Sequence, residues 1–151
     1  MIWRDILIDR RPNDAELRQS LAQVFQIDPT KVGLFGDYRE LLQPMPDTIR
    51  LLCERLPVSG EFIMKLGVMP VHPVQEAFTR GSNDLTLLSA LCRILATRGL
   101  IDDGSHNPYA FLLLGPDGSV SNAALDAQRL DMDDEYVLSL DGAFAENNAP
   151  C

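Results

Sequence analysis

The stretch "NDLTLLSALCRILATRG", residues 83–99, carries the clearest secondary-structure signal in the chain. Asn83 or Asp84 can accept hydrogen bonds from the free backbone N–H groups of a first helical turn, and Gly99 can close the helix. The positions between them are apolar on almost every side: Leu85, Leu87, Leu88, Ala90, Leu91, Cys92, Ile94 and Leu95. Helices of this kind are usually buried on more than one side, so the stretch predicts a central packing element.

A second helix is predicted over residues 12–28, "PNDAELRQSLAQVFQID". Asn13 is followed three residues later by Glu16, which resembles a capping box. The helix aligns with the first stretch at an offset of 70 residues. The Asn-Asp pairs then coincide, and four apolar positions of one helix (Leu17, Leu21, Val24, Phe25) meet four of the other (Leu87, Leu91, Ile94, Leu95).

Strand-like runs surround both helices. Residues 3–9, 30–37 and 135–142 each favour a strand, residues 47–70 favour a hairpin turning at Ser59-Gly60, and residues 109–125 favour a strand, a Gly-Pro-Asp-Gly turn and a return. Residues 100–108 indicate a polar loop. The order strand, helix, strand, strand occurs twice, which predicts an α+β fold with an antiparallel or mixed sheet and two main helices packed on one face.

The repeated order suggests a duplicated β-α-β-β unit with halves 1–58 and 60–142. Chance similarity remains an alternative, because leucine is common and Asn-Asp is a general helix cap. The length of 151 residues is typical of one domain. We expect a single domain over residues 1–145 and a disordered tail over residues 146–151.

Cysteine usage and hydropathy narrow the class of protein. Cys53, Cys92 and Cys151 are too few and too scattered for a disulfide framework or a zinc site. The N-terminus lacks the apolar run of a secretory signal, and no apolar run approaches the length of a transmembrane helix. Reduced thiols and the missing leader together predict a cytoplasmic protein.

Charge is distributed very unevenly along the chain. Residues 1–98 contain twelve basic and twelve acidic residues, whereas residues 99–151 contain ten acidic residues and Arg129, so the whole net charge of −9 falls in the last third. This balance disfavours nucleic acid or an anionic membrane as a partner, since both require a basic surface. It is typical of an acidic interaction surface for a basic protein.

The residues predicted to form that surface are acidic side chains and two tyrosines, here called the predicted acidic edge: Asp102, Asp103, Tyr109, Asp131, Asp133, Asp134, Glu135, Tyr136 and Asp141. Clustered carboxylates speed association with basic partners, and tyrosine is a common interface anchor. Two alternatives stay open. The acids could serve local turn chemistry, and the tyrosines could be ordinary half-buried strand residues.

Catalytic and cofactor motifs are not predicted. His106 lies near Asp102, Asp103 and Tyr109 and could act as a general base, but no nucleophile can be assigned beside it. The acids at 131–135 do not follow the spacing of a calcium loop, and the Gly-rich stretches lack the spacing of a phosphate loop. We therefore predict no metal, no cofactor and no catalytic residue.

The leading hypothesis from these observations is a protein-binding protein without catalytic activity. Its acidic C-terminal third would neutralise a basic partner, as an immunity or inhibitor protein neutralises a basic toxin such as a nuclease. One alternative is a small enzyme or ligand-binding domain with a pocket near His106. Another is a homo-oligomeric module, such as a homodimer packed through the 83–99 helix or the 47–70 hairpin.

Overall fold

The computed structural model describes residues 4–36, 46–71 and 84–139, with the side chain of Asp84 left out. Asp141 of the predicted acidic edge, the proposed cap Asn83 and the predicted tail lie outside the described residues. The elements in chain order are β1 (Arg4–Ile8), α1 (Asp14–Phe25), a 3₁₀ turn (Pro29–Lys31), β2 (Val32–Phe35), β3 (Leu51–Pro57), β4 (Ser59–Gly60), β5 (Met64–Pro70), α2 (Asp84–Leu95), β6 (Gly99–Asp102), β7 (Ala110–Leu114), β8 (Val120–Ala124), α3 (Ala127–Asp133) and β9 (Glu135–Tyr136).

Within the described residues, seven strands form one mixed sheet in the order β2-β3-β5-β1-β6-β7-β8, which confirms the predicted α+β class. Strand β1 lies in the middle and is antiparallel to both neighbours, β5 and β6. The pair β2-β3 is parallel, and the remaining neighbours in the sheet are antiparallel. Strands β4 and β9 form a separate short parallel pair.

Both long helices contribute to one hydrophobic cluster with one face of the sheet. Leu17 and Leu21 of α1 and Leu91 of α2 pack in the same cluster as Ile6 and Ile8 of β1. Successive side chains of a strand point to opposite faces. Leu7 accordingly belongs to a second cluster, on the face away from the helices.

The ends of the helices follow the sequence prediction at α1 and depart from it at α2. Asn13 caps α1 by accepting a hydrogen bond from the backbone N–H of Glu16 at 2.8 Å. Helix α2 ends at Leu95, four residues before the predicted closing glycine, and Ala96 takes the left-handed conformation there with φ of 53°. Gly99 instead opens β6, where a Cβ would lie 2.6 Å from the Cys92 Sγ.

Three predicted segments differ from the structure. The strand expected over residues 135–142 is only β9 (Glu135–Tyr136), and residues 140–142 lie outside the described residues. The 47–70 hairpin exists as β3 and β5, but Pro57 pairs with Met64, so the connection is longer than the predicted two-residue turn at Ser59-Gly60. Those two residues form β4 and pair with β9 instead. Residues 100–102, predicted as part of a loop, are strand β6, because Leu100 and Ile101 are almost completely buried on opposite faces of the sheet.

The repeated element order is present, with β1-α1-β2-β3 followed by β5-α2-β6-β7, but the strand pairing of the two units differs. In the first unit, the strand after the helix (β2) lies at the sheet edge and is parallel to β3. In the second unit, the strand after the helix (β6) pairs with central β1 and is antiparallel to β7. The repetition is therefore one of element order and not of topology.

The described parts of the chain contain no helix with the length and apolar character needed to cross a membrane. The extent of the single domain over residues 1–145 stays a prediction.

Candidate functional site

The acidic stretch of the C-terminal third folds into the short helix α3. Asp126 begins it by accepting a hydrogen bond from the backbone N–H of Arg129 at 3.1 Å. Asp134 ends it in the left-handed conformation with φ of 55°, and its N–H donates to the Leu130 carbonyl. Aspartate tolerates this conformation better than most residues. The stretch "DAQRLDMDD", whose structure the sequence leaves ambiguous, is thus a helix with an aspartate at each boundary.

The last turn of α3 exposes Asp131, Met132, Asp133 and Asp134, here called the acidic turn. Met132 is 74% exposed, far more than any other large hydrophobic residue of the described chain. The backbone carbonyls at the end of a helix carry partial negative charge, so each carboxylate placed there costs about 0.3–1 kcal/mol. The helix end therefore disfavours the charges of Asp131 and Asp133, which Tyr109 and Arg129 offset in part.

Arg129 compensates part of the negative charge. Its Nη2 lies 2.6 Å from Glu135 Oε1, and the Asp133 carboxylate is 4.0 Å from its Nε. The hydrogen bond with Glu135 raises the pKa of Arg129, so this guanidinium stays charged. Glu135 is half-buried and paired with Arg129, whereas the acidic turn is exposed to solvent. The negative field is thus concentrated on Asp131, Asp133 and Asp134.

Tyr109, at the end of the loop before β7, links that loop to the acidic turn. Its Oη donates a hydrogen bond to Asp131 Oδ2 at 2.6 Å, and this bond raises the pKa of Tyr109 above its ordinary value of 10. The structure therefore brings together two members of the predicted acidic edge that are 22 residues apart in the chain. The half-buried Tyr109 ring borders the exposed carboxylates.

Other predicted acids serve the local turns in which they lie. Asp102 Oδ1 accepts a hydrogen bond from the Gly104 N–H at 2.8 Å, and Asp103 Oδ1 accepts one from the Ser105 N–H at 2.9 Å. Such bonds are the reason that aspartate favours turns. The turn alternative thus accounts for the positions of Asp102 and Asp103 in the chain.

Asp102 and Tyr136 of the predicted acidic edge line one cavity of about 320 Å³. The cavity lies on the sheet face away from the long helices, because Leu7 and Leu100, which pair across β1 and β6, line it as well. The described residues that line it are Arg4, Asp5, Leu7, Lys65, Leu100, Asp102, Phe111 and Tyr136. The sequence did not indicate this site, since its residues come from five separate strands.

An ion-pair network holds the segment with β9 to the sheet. Arg98 Nε donates to Asp9 Oδ2 at 2.7 Å and its Nη2 donates to Glu61 Oε2 at 3.0 Å. Glu61 Oε1 then accepts the backbone N–H of Leu138 at 3.1 Å. The guanidinium also lies 5.1 Å from the centre of the Phe62 ring, within cation–π distance.

The network also sets the ionisation of Asp9. Partial burial opposes its charge, but hydrogen bonds from Arg98 and Thr97 outweigh this effect and hold the pKa of Asp9 below its ordinary value. At the two cysteines of the described chain, burial is instead the largest effect on the pKa. Burial raises the pKa of Cys53 and of Cys92 to about 12, so both stay protonated thiols within the core.

His106 is exposed. It lines neither the cavity beside Asp102 and Tyr136 nor a second cavity beside α2. In residues 4–36, 46–71 and 84–139, no group of three or more His, Cys, Asp or Glu side chains is arranged to hold a metal ion. Comparisons with protein families, with curated proteins and with solved structures find no match to this chain.

Proposed function

We propose that this protein binds a basic protein partner through the acidic turn. The observation that carries the proposal is the exposed Met132 among Asp131, Asp133 and Asp134, at a helix end where carboxylates are unfavourable. Methionine is enriched at protein interfaces and adapts to irregular pockets. The carboxylates steer a basic partner, and Met132 supplies an apolar anchor once contact is made.

In its specific form, the proposal is an inhibitor or immunity protein that neutralises a basic toxin such as a nuclease. The net charge of −9, carried by the last third of the chain, supports this form because active sites that bind nucleic acid are basic. The site consists of the acidic turn and Tyr109. Asp102, Asp103, Glu135 and Tyr136 of the predicted acidic edge make the local contacts described above, and their part in partner binding stays a prediction.

The test compares two variants of equal net charge. In the first variant, Asp131, Asp133 and Asp134 are replaced by Asn. In the second, three turn acids, the exposed Asp28 and Asp117 and the half-buried Asp103, are replaced by Asn, which keeps their hydrogen-bond acceptors. Each protein is used to capture partners from an extract of the source organism, and captured proteins are identified by mass spectrometry. We expect a basic protein that the native chain and the second variant retain and the first variant loses.

The captured partner, prepared separately, then provides the quantitative test. Its affinity for the native chain should fall as salt is raised, and the first variant should bind roughly tenfold more weakly at low ionic strength. Inhibition of the partner's activity by the native chain would support the inhibitor form. Equal binding by both variants would contradict the proposal, because net charge alone would then explain the association.

A homodimer is a second candidate, supported by an apolar depression beside α2. Ala90, Arg93, Ile94 and Pro116 line a cavity of about 470 Å³, and Ile94 is 37% exposed. The proposal predicts a mass of two chains in light scattering, reduced to that of one chain by Ile94→Asp. A native protein of single mass at high concentration would remove this candidate.

A further inference from the structure

The cavity beside Asp102 and Tyr136 has an apolar floor and charged sides. Leu7 and Leu100 are 4% and 1% exposed and form its base on neighbouring strands. Phe111, paired with Asp102 across β6 and β7, adds one aromatic side. Sites for small ligands are usually concave and apolar with a few charged groups that orient the ligand.

Charges of both signs are separated within the cavity. Asp5 lies two residues before Leu7, and Asp102 lies two residues after Leu100, so the pleat places both carboxylates on the same face at the same end of the leucine pair. Lys65 pairs with Leu7 from the opposite side, on β5. Asp102 therefore lies on the β6 side of β1 and Lys65 lies on the β5 side, whereas Asp5 lies on β1 between them.

The aromatic rings of the cavity add to its attraction for a cation on the side that carries Asp102. Phe111 and Tyr136 line the same cavity as Asp102, and an ammonium group is attracted both by carboxylates and by the faces of aromatic rings. The position of Tyr136 is fixed, because its carbonyl accepts hydrogen bonds from the N–H groups of Glu61 at 2.9 Å and Phe62 at 3.2 Å.

We propose that this cavity binds a small zwitterion of amino-acid size. The ligand's ammonium group lies near Asp102 and the rings, its carboxylate lies near Lys65, and its apolar part rests on the two leucines. A volume of about 320 Å³ is at the lower end of the range of about 300–1,000 Å³ for small-molecule sites. The site is separate from the acidic turn, and the inference does not depend on the proposed function.

The test measures binding of free leucine and free phenylalanine to the full chain by isothermal titration calorimetry. Each amino acid is compared with its N-acetyl derivative, which lacks the cation, and with its amide, which lacks the anion. We expect one-to-one binding of a free amino acid, weakened about tenfold or more by loss of either charge, as is usual for charge-assisted contacts. No binding of either amino acid at millimolar concentration, or equal binding of its derivatives, would overturn the proposal.

Two variants locate the site. Asp102→Asn keeps the acceptor for the Gly104 N–H while removing the charge, and Asp117→Asn makes the same change in the β7–β8 turn, where Asp117 accepts the Ser119 N–H. Circular dichroism and thermal unfolding confirm that each variant is folded. We expect weaker binding for Asp102→Asn alone; equal affinities of the two variants would place the ligand elsewhere and contradict the inference.

Discussion

The two faces of the sheet are closed in different ways. On one face, α1 and α2 cover a continuous apolar cluster that includes Ile6 and Ile8. On the other face, a smaller cluster around Phe62 and Leu125 is covered by the segment with α3 and β9, and charged residues border a cavity beside it. The helical face supplies most of the apolar burial, whereas the acidic turn and the cavity beside Asp102 belong to the face that the short segment covers.

The comparison predicts the largest loss of stability on the helical face. Leu91→Ala removes a side chain that is 1% exposed between α2 and the sheet, and such changes cost about 2–5 kcal/mol. Ile94→Ala, on the exposed side of the same helix, is the matched control and should cost about 0.5 kcal/mol or less. Urea unfolding measures both values. Similar losses for the two variants would show that α2 is not buried mainly toward the sheet.

The second prediction concerns the close contact between β4 and β9. Gly60 has φ of +116°, and a Cβ there would lie 2.5 Å from the backbone nitrogen of Tyr136, so Gly60→Ala should cost about 2–4 kcal/mol through backbone strain and collision. Gly104 also has positive φ, but a Cβ would meet nothing within 4 Å, so Gly104→Ala should cost only about 1–2 kcal/mol. Thermal unfolding compares the two variants, and equal losses would contradict the tight β4–β9 contact.

The third prediction concerns acid stability. Because the pKa of Asp9 is lower in the folded chain than its ordinary value of 3.8, its charge stabilises the fold above that value, and this contribution is lost as pH falls through the folded pKa. Asp9→Asn should therefore lose stability at pH 7 and approach the native chain's stability as the pH falls below 3.8 and through the folded pKa. Urea unfolding across this range tests it; a constant difference between the two proteins would show that the Asp9 charge is not the cause.

The fourth prediction has the smallest expected effect, and it is a gain of stability. Replacing Asp131, Asp133 and Asp134 by Asn relieves repulsion at the end of α3 and should raise stability by about 0.5–1 kcal/mol, even though it removes the proposed binding surface. Thermal unfolding at low salt measures the gain, which should shrink at 1 M salt because exposed charges are screened. A loss of stability would show that these acids serve the fold.

Local signals in the sequence predicted the class of fold and one helix boundary. The cap at Asn13 was correct because it depends only on the next few residues. Strand β6 was missed because Gly99 looked like a helix stop, while its actual position depends on the space left by Cys92 and Ile6. The pairing of Ser59–Gly60 with Glu135–Tyr136 joins distant parts of the chain, and local patterns carry no information about it.

The candidate site was predicted only in part for the same reason. The uneven charge indicated the acidic turn, but the exposure of Met132 is known only from the folded structure, in which Leu130 of the same helix packs against the cluster around Phe62. Only the folded sheet brings Tyr109 to Asp131 and places Asp102 and Tyr136 in the lining of one cavity. Composition thus indicated the type of charge, whereas the tertiary structure determined which residues share a surface.

The short pairing of β4 with β9 also has a thermodynamic consequence. It joins only two residues on each side, and Glu61 links Arg98 to Leu138 of the same segment, so opening the segment breaks these contacts but leaves the seven-stranded ladder intact, as in a local unfolding event. Tyr136 of the cavity and the acidic turn belong to this same segment. A ligand that favours the closed segment therefore lowers the ordering cost for a partner, and reciprocity requires the partner to tighten the ligand by the same factor.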